Sequence, residues 1–208
     1  MTPAHQPRQP DAIETERLTL RRFAQDDAPA IAAALSDREM SWTLGRVPHP
    51  YGLEDARDYL RSLESRSNDV HAVCLRAGKD REGPLVGSAS IAYRVPGCTD
   101  EGEGERAITL GYWIAREHWG QGYASEAVAG KLFEHFARGG GTVLARAFAD
   151  NPASLRVLRH VGFRVTGEAL DTNLVRGGAF PVRLHECTAD DFRGAAWNMH
   201  LAPDEDAA

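Results

Sequence analysis

Apolar positions along the chain recur in two rhythms, an alternation that marks strands and a three-to-four spacing that marks helices. Residues 17–23, Arg-Leu-Thr-Leu-Arg-Arg-Phe, alternate as a first strand. Asp26 or Asp27 then caps a helix that carries Pro29 in its first turn and runs on through Ile31 and Leu35. After a link of Pro and Gly over 45–52, Leu53, Ala56, Leu60 and Leu63 share one helical face. Strands are predicted at 70–76 and 85–95, joined by the turn-rich segment 78–84. Residues 96–105, rich in Gly and acids, read as an exposed loop. A central strand follows at 107–115, then a helix at 125–137 that Gly139, Gly140 and Gly141 end. Residues 143–149 form a short strand. Asn151 caps the next helix, with Pro152 in first position and Gly162 closing it. Segments 163–167 and 180–188 supply the last strands. Residues 1–14 read as a disordered arm and 194–208 as an acidic tail, leaving one α/β (α+β) domain at 15–193.

Composition narrows the class. With 208 residues, 42% of them hydrophobic and 26% charged, the chain can bury a full core. A formal net charge of −6 argues against nucleic acid as the partner. Cys74, Cys98 and Cys187 are scattered and odd in number, which predicts no disulfide frame and no metal site and suits a reducing cytoplasm. No apolar run approaches a membrane span, so no membrane partner is expected.

The segment Leu110-Gly-Tyr-Trp-Ile-Ala-Arg-Glu-His-Trp-Gly-Gln-Gly-Tyr-Ala-Ser-Glu-Ala-Val-Ala129 carries the strongest chemical signal. It runs from strand through Gly120-Gln121-Gly122 into a helix. Backbone N–H groups and the helix dipole at such a junction favour an anion, which predicts a phosphate-bearing ligand. A dinucleotide fingerprint would need Gly or Ala where Ser125 stands, and a P-loop would need Lys-Ser/Thr after the glycines. Neither is present.

Three blocks together resemble the GNAT acetyltransferases, and within them the Rim-type branch that includes ribosomal-protein N-terminal acetyltransferases. They are the stretch from Glu14 to Phe23, the block from Leu110 to Ala129, and Asp150-Asn-Pro-Ala-Ser-Leu-Arg-Val-Leu-Arg-His-Val-Gly-Phe163. The resemblance implies a mixed, mostly antiparallel central sheet flanked by helices, with a splayed strand pair at the CoA site. It implies acetyl-CoA as co-substrate, with backbone amides of Gly120, Gln121, Gly122, Tyr123, Ala124 and Ser125 on the CoA pyrophosphate. Trp119 stands where the family prefers Arg or Gln. The strand end at Trp113 and Ile114 would bond the pantetheine arm. Asn151 would orient the pantetheine or the intermediate, and Ser154 would protonate the departing thiolate. A homodimer is consistent with the family.

Many relatives carry a Glu on the central strand as base, and this chain has Thr109 there. Glu101, Glu103 and Glu105 in the preceding loop are candidates, Glu105 nearest in sequence, and His118 is another. An α-amine of pKa ~8 is roughly a tenth deprotonated at pH 7, whereas a lysine at ~10.4 is about 0.04% so. A site without a strong base therefore suits an α-amine. The reading is an acetyl-CoA-dependent N-acetyltransferase acting on a primary amine such as a protein N-terminus. A weakly catalytic acyl-CoA-binding module, and a transferase for a small amine such as an antibiotic or polyamine, stand as alternatives.

Overall fold

The chain's first strands are Ala12–Glu14 (β1) and Leu18–Arg21 (β2), paired antiparallel. The structure is a computed structural model and describes residues 12–64, 69–78, 82–94, 107–194 and 200–201. Helices Ala28–Leu35 (α1), Arg38–Thr43 (α2) and Leu53–Glu64 (α3) follow, then strands Asp69–Arg76 (β3), Glu82–Arg94 (β4) and Ala107–Ile114 (β5). Tyr123–Ala137 (α4), Val143–Phe148 (β6) and Pro152–Val161 (α5) come next. The chain closes with Arg164–Asn173 (β7), Gly178–Cys187 (β8) and His200–Leu201 (β9). Among the described residues, nine strands join one sheet in the order β7-β8-β6-β5-β4-β3-β2-β1-β9. Every pairing is antiparallel except β5 with β6. The expected mixed, mostly antiparallel architecture is what the chain forms.

Each face of the sheet has its own core. On one face Leu110 and Ile91 meet Val128 and Leu132 of α4 and Leu158 and Val161 of α5. On the other, Ile31, Leu35, Met40, Ala56 and Leu60 pack α1 to α3, with Trp113 of β5 laid against them. Alternation along β5 explains the division, since Leu110 and Tyr112 point one way and Trp113 the other.

Several boundaries differ from expectation, for identifiable reasons. The arm predicted at 1–14 contributes β1 at its end, because Ile13 is fully buried against α4 where Gly130 lets the helix approach. A Cβ at Gly130 would lie 3.6 Å from the Ile13 Cγ2 and 3.2 Å from the Thr15 Cγ2. One apolar residue among polar neighbours carries no periodicity, so only tertiary pairing makes this strand. The tail predicted from 194 likewise supplies β9, which pairs with β1. The segment 78–84 is not all turn, since β4 begins at Glu82. Helix α2 is a further addition, started by Asp37, whose side chain accepts from the Glu39 and Met40 amides. Asp27 stands at the N-cap of α1, but its carboxylate is turned to Arg21 and the Ala24 amide instead. Strand β7 runs six residues beyond the predicted end at Gly167, to Asn173. The acid-rich loop with Glu101, Glu103 and Glu105, and Cys98 within it, lies outside the described residues.

Beneath α4 sits a buried ionic cluster. Lys131 Nζ lies 2.5 Å from Asp69 Oδ1, 2.5 Å from Glu134 Oε2 and 3.2 Å from His71 Nδ1. Burial alone would raise the Asp69 carboxyl, but the His71 hydrogen bond and the Lys131 charge outweigh it and hold it at about 2. Its folded pKa is thus below an unfolded value of ~3.9. The stabilisation is complete above that value and is lost as pH falls toward 2. Lys131→Met removes the buried cation and leaves Asp69 only His71, at 3.1 Å, and Glu134 only Arg138, at 3.6 Å, and should cost about 3–5 kcal/mol at pH 7. The deficit relative to the wild type should shrink as pH falls from 4 to 2, measured by denaturant unfolding across that range.

Candidate functional site

Strands β5 and β6 are parallel neighbours held by a single paired position, Thr109 with Leu144. Beyond it they part. The bond from the Ala115 amide to the Val86 carbonyl fixes the phase of β5 against β4. Trp113 and Gly111 therefore direct their backbone groups to β4, while Tyr112 and Ile114 direct theirs into the opening. A cavity of about 680 Å³ fills this fork and is lined by Tyr112, Trp113, Ile114, Asn151, Ser154 and the start of α4.

The loop between β5 and α4 is folded by its own residues. Trp119 donates from its indole to the Ile114 carbonyl at 2.6 Å, drawing the loop back onto the strand end. Gly120 and Gly122 have φ of +74° and +84°, a left-handed conformation that costs a residue with Cβ about 1–2 kcal/mol. Helix α4 starts at Gly122 without a side-chain cap, so the amides of Tyr123, Ala124 and Ser125 lack intrahelical acceptors. These residues, with Gly120, Gly122 and Trp119, line the cavity. Gln121 does not. Its carbonyl accepts from Arg17 Nη1 at 2.9 Å.

The other wall is α5. Asn151 caps it, its Oδ1 accepting from the Ser154 amide at 3.0 Å. Ser154 Oγ and Tyr112 Oη lie 2.7 Å apart. Burial raises the Tyr112 phenol to about 12, with the Ser154 hydrogen bond opposing in part, so the phenol keeps its proton near neutrality. The expected base position, Thr109, sits at the fork with its hydroxyl 3.4 Å from the Ala92 carbonyl. His118 lies at the rim beside Glu117, 3.5 Å away, and its ring meets Tyr123 edge-on. Glu105 lies outside the described residues.

Sequence reasoning passed over Asp171. Among the described residues it is the one carboxylate that lines the cavity. It stands on β7 between Arg46 and Arg146, 3.8 Å from each, and its Oδ1 accepts from the Thr172 amide. The glycine pair at 177–178 marks the turn between β7 and β8, and extending β7 up to that turn would have found it. Nearby, Arg176 on that turn grips Asp150 at 2.5 Å and stacks on Phe180 with its guanidinium carbon 3.8 Å from the ring centre. It ties the hairpin to the residue before Asn151. Among the described residues there is no cluster of three or more groups suited to a metal ion. No helix among them is long and apolar enough to cross a membrane.

Residues 17–164 match the acetyltransferase (GNAT) domain family. The chain belongs to the GNAT acetyltransferases. It is an acyltransferase, and acetyl-CoA is its donor. An uncharacterised N-acetyltransferase, p20, from Bacillus licheniformis is 26% identical over 190 residues, covering 88% of this chain and 99% of the relative. An uncharacterised N-acetyltransferase of Bacillus subtilis, YoaA, is 29% identical over 156 residues, covering 74% of this chain and 84% of its own. Mycobacterium smegmatis RimJ, solved with CoA-disulfide, shares the fold at a TM-score of 0.72 and 22% identity, covering 88% of this chain and 90% of that one. The ribosomal-protein-S5-alanine acetyltransferase of Vibrio fischeri superposes at a TM-score of 0.67 and 20% identity, over 88% and 98% of the two chains.

For this GNAT enzyme, Gly122→Ala should raise the KM for acetyl-CoA about 5- to 30-fold through the strained φ. The effect on kcat should be smaller. Steady-state kinetics with varied donor checks both.

Proposed function

We propose that this enzyme acetylates the α-amine of a polypeptide N-terminus. The observation that carries the reading is the character of the acceptor side. No carboxylate stands at Thr109, and Asp171, between two guanidiniums, is the one acid reaching the cavity among the described residues. Such a site suits an amine already partly neutral at pH 7, and an α-amine of pKa ~8 meets that condition far better than a lysine. Room for a chain supports the same reading. The sheet face beyond the fork carries Leu144 at 38% exposed and the exposed Arg146, so a substrate longer than one residue could lie across it. The structural relatives RimJ and the S5-alanine acetyltransferase add support by their names.

In this reading the amides from Gly120 to Ser125 take the CoA diphosphate, apart from Gln121, whose carbonyl is already engaged with Arg17. Tyr112 and Ile114 offer main-chain groups to the pantetheine arm, with the Ile114 carbonyl shared with Trp119. The acceptor nitrogen attacks the thioester carbon, a C–N bond forms, and the C–S bond breaks with its electron pair on sulfur. The amine's surplus proton passes to Asp171 or to solvent. Ser154 offers its hydroxyl proton to the sulfur, and the 2.7 Å contact with Tyr112 lets the phenol donate to Ser154 Oγ, which leaves that proton free to point outward. The leaving thiol has a pKa near ~8.5, so a hydrogen bond suffices to steady it. The same reading assigns the enzyme to a reducing cytoplasm, where the buried free thiols of Cys74 and Cys187 would stay reduced.

Peptides with a free α-amine and no lysine should be acetylated at least tenfold more efficiently than α-blocked peptides of the same sequence bearing one lysine. Mass spectrometry of both products, with kcat/KM, tests this, and faster lysine or polyamine acetylation would overturn the acceptor assignment. A second test concerns the hydroxyl pair. One hydrogen bond contributes about 0.5–1.5 kcal/mol, so Tyr112→Phe should lower kcat roughly 2- to 10-fold. Added to Ser154→Ala, it should cost nothing further, and multiplying losses would show that the two act separately.

A further inference from the structure

The block from Glu14 to Phe23 is shared with the family, yet the acetyl-transfer geometry above makes no use of it. Its Arg17, just before β2, ends against the phosphate loop from a distant part of the chain. Nε donates to Glu126 Oε2 at 2.7 Å, Nη2 lies 2.7 Å from the same oxygen, and Nη1 donates to the Gln121 carbonyl at 2.9 Å. The guanidinium also covers the Tyr123 ring, 4.8 Å from its centre. A Cβ on Gly122 would stand 3.3 Å from Nη2, so the guanidinium lies directly on the loop.

Glu126 is what holds it there. This carboxylate, in the first turn of α4, is 2% exposed and also accepts from Thr15 Oγ1 at 2.6 Å and the Arg17 amide at 2.7 Å. An acid so near a diphosphate would repel it if left bare. Arg17 cancels that charge and still has donors to spare. A guanidinium carries five N–H hydrogens, and the contacts to Glu126 and Gln121 use one on each nitrogen. One hydrogen on each terminal nitrogen therefore remains, on a side chain 43% exposed to solvent. The loop has no cation of its own in this position. Trp119 occupies the place of the family's Arg or Gln, and Arg116 is turned to Asp37 and Glu39 at 3.3 and 2.9 Å.

We infer that Arg17 is a binding residue for the CoA diphosphate, bracing the Gln121–Gly122 turn through its carbonyl and presenting two N–H groups to the phosphate oxygens. The inference rests on the acetyl-CoA reading of the loop. The test compares acetyl-CoA, its 3′-dephospho form and S-acetylpantetheine, which lacks all phosphate, on the wild type, Arg17→Met and Arg17→Lys. Charge-assisted bonds of this kind predict a KM for acetyl-CoA raised roughly 10- to 100-fold in Arg17→Met. Arg17→Lys, which keeps the charge but loses the fork, should fall between. The loss should be as large with the dephospho donor, and at least ten times smaller with S-acetylpantetheine. An equal loss with S-acetylpantetheine would show that Arg17 acts on the fold and overturn the inference. A loss that vanishes with the dephospho donor would move the contact to the 3′-phosphate and overturn the diphosphate assignment. If CoA fails to bind the wild type by calorimetry, the acetyl-CoA reading itself falls.

Discussion

The parting of β5 from β6 after one paired position is the constraint on which the rest of the site depends. Each strand is fully paired on its outer side, β5 with β4 and β6 with β8. Neither can turn to repair the gap without breaking that ladder. The opened edge leaves Tyr112 and Ile114 with main-chain groups and no strand partner, and a buried unpaired group costs about 1–3 kcal/mol. The Trp119 indole meets the Ile114 carbonyl, and water or an extended ligand with amides of its own must meet the groups that remain. The fork is therefore a strand-shaped site, and it persists because the sheet holds it open from both sides.

The two helices that flank the fork complete it through their N-termini. Helix α4 begins with uncapped amides after a left-handed Gly122, whereas α5 begins with a side-chain cap from Asn151. The difference separates two tasks. Free amides suit a phosphate, and a capped terminus holds Ser154 steady against Tyr112. The charges beneath α4 follow a similar division. Lys131 satisfies carboxylates inside the core, while Arg17 satisfies Glu126 at the boundary and remains half in solvent.

What could be read from the chain follows from the range of the forces involved. Strand, glycine turn and helix start are local, so β5, α4, α5 and the loop between them were legible from alternation, Gly120, Gly122, Asn151 and Pro152. The strand at Ile13 was not, because its stability comes from burial against Gly130, far along the chain. Asp171 was hidden for a related reason. It reaches the fork only because β7 continues past Gly167 and pairs Asp171 with Phe180, a register set by the hairpin turn. The Tyr112–Ser154 contact joins two motifs that were each visible and whose meeting was not.

The same difference of range separates the donor half of the site from the acceptor half. The donor half is made mostly of main chain on one strand–loop–helix unit, so most changes there strain φ or remove an amide. The acceptor half is made of side chains from scattered elements, with Leu44 after α2, Arg146 on β6, Asp171 on β7 and Val182 on β8. Arg146 and Asp171 can each change without touching the sheet's hydrogen bonds. A scaffold built in this way keeps its acyl donor while its acceptor drifts, which is why the fold declares acetyl transfer and the amine has to be argued from Thr109, Asp171 and the arginines beside it.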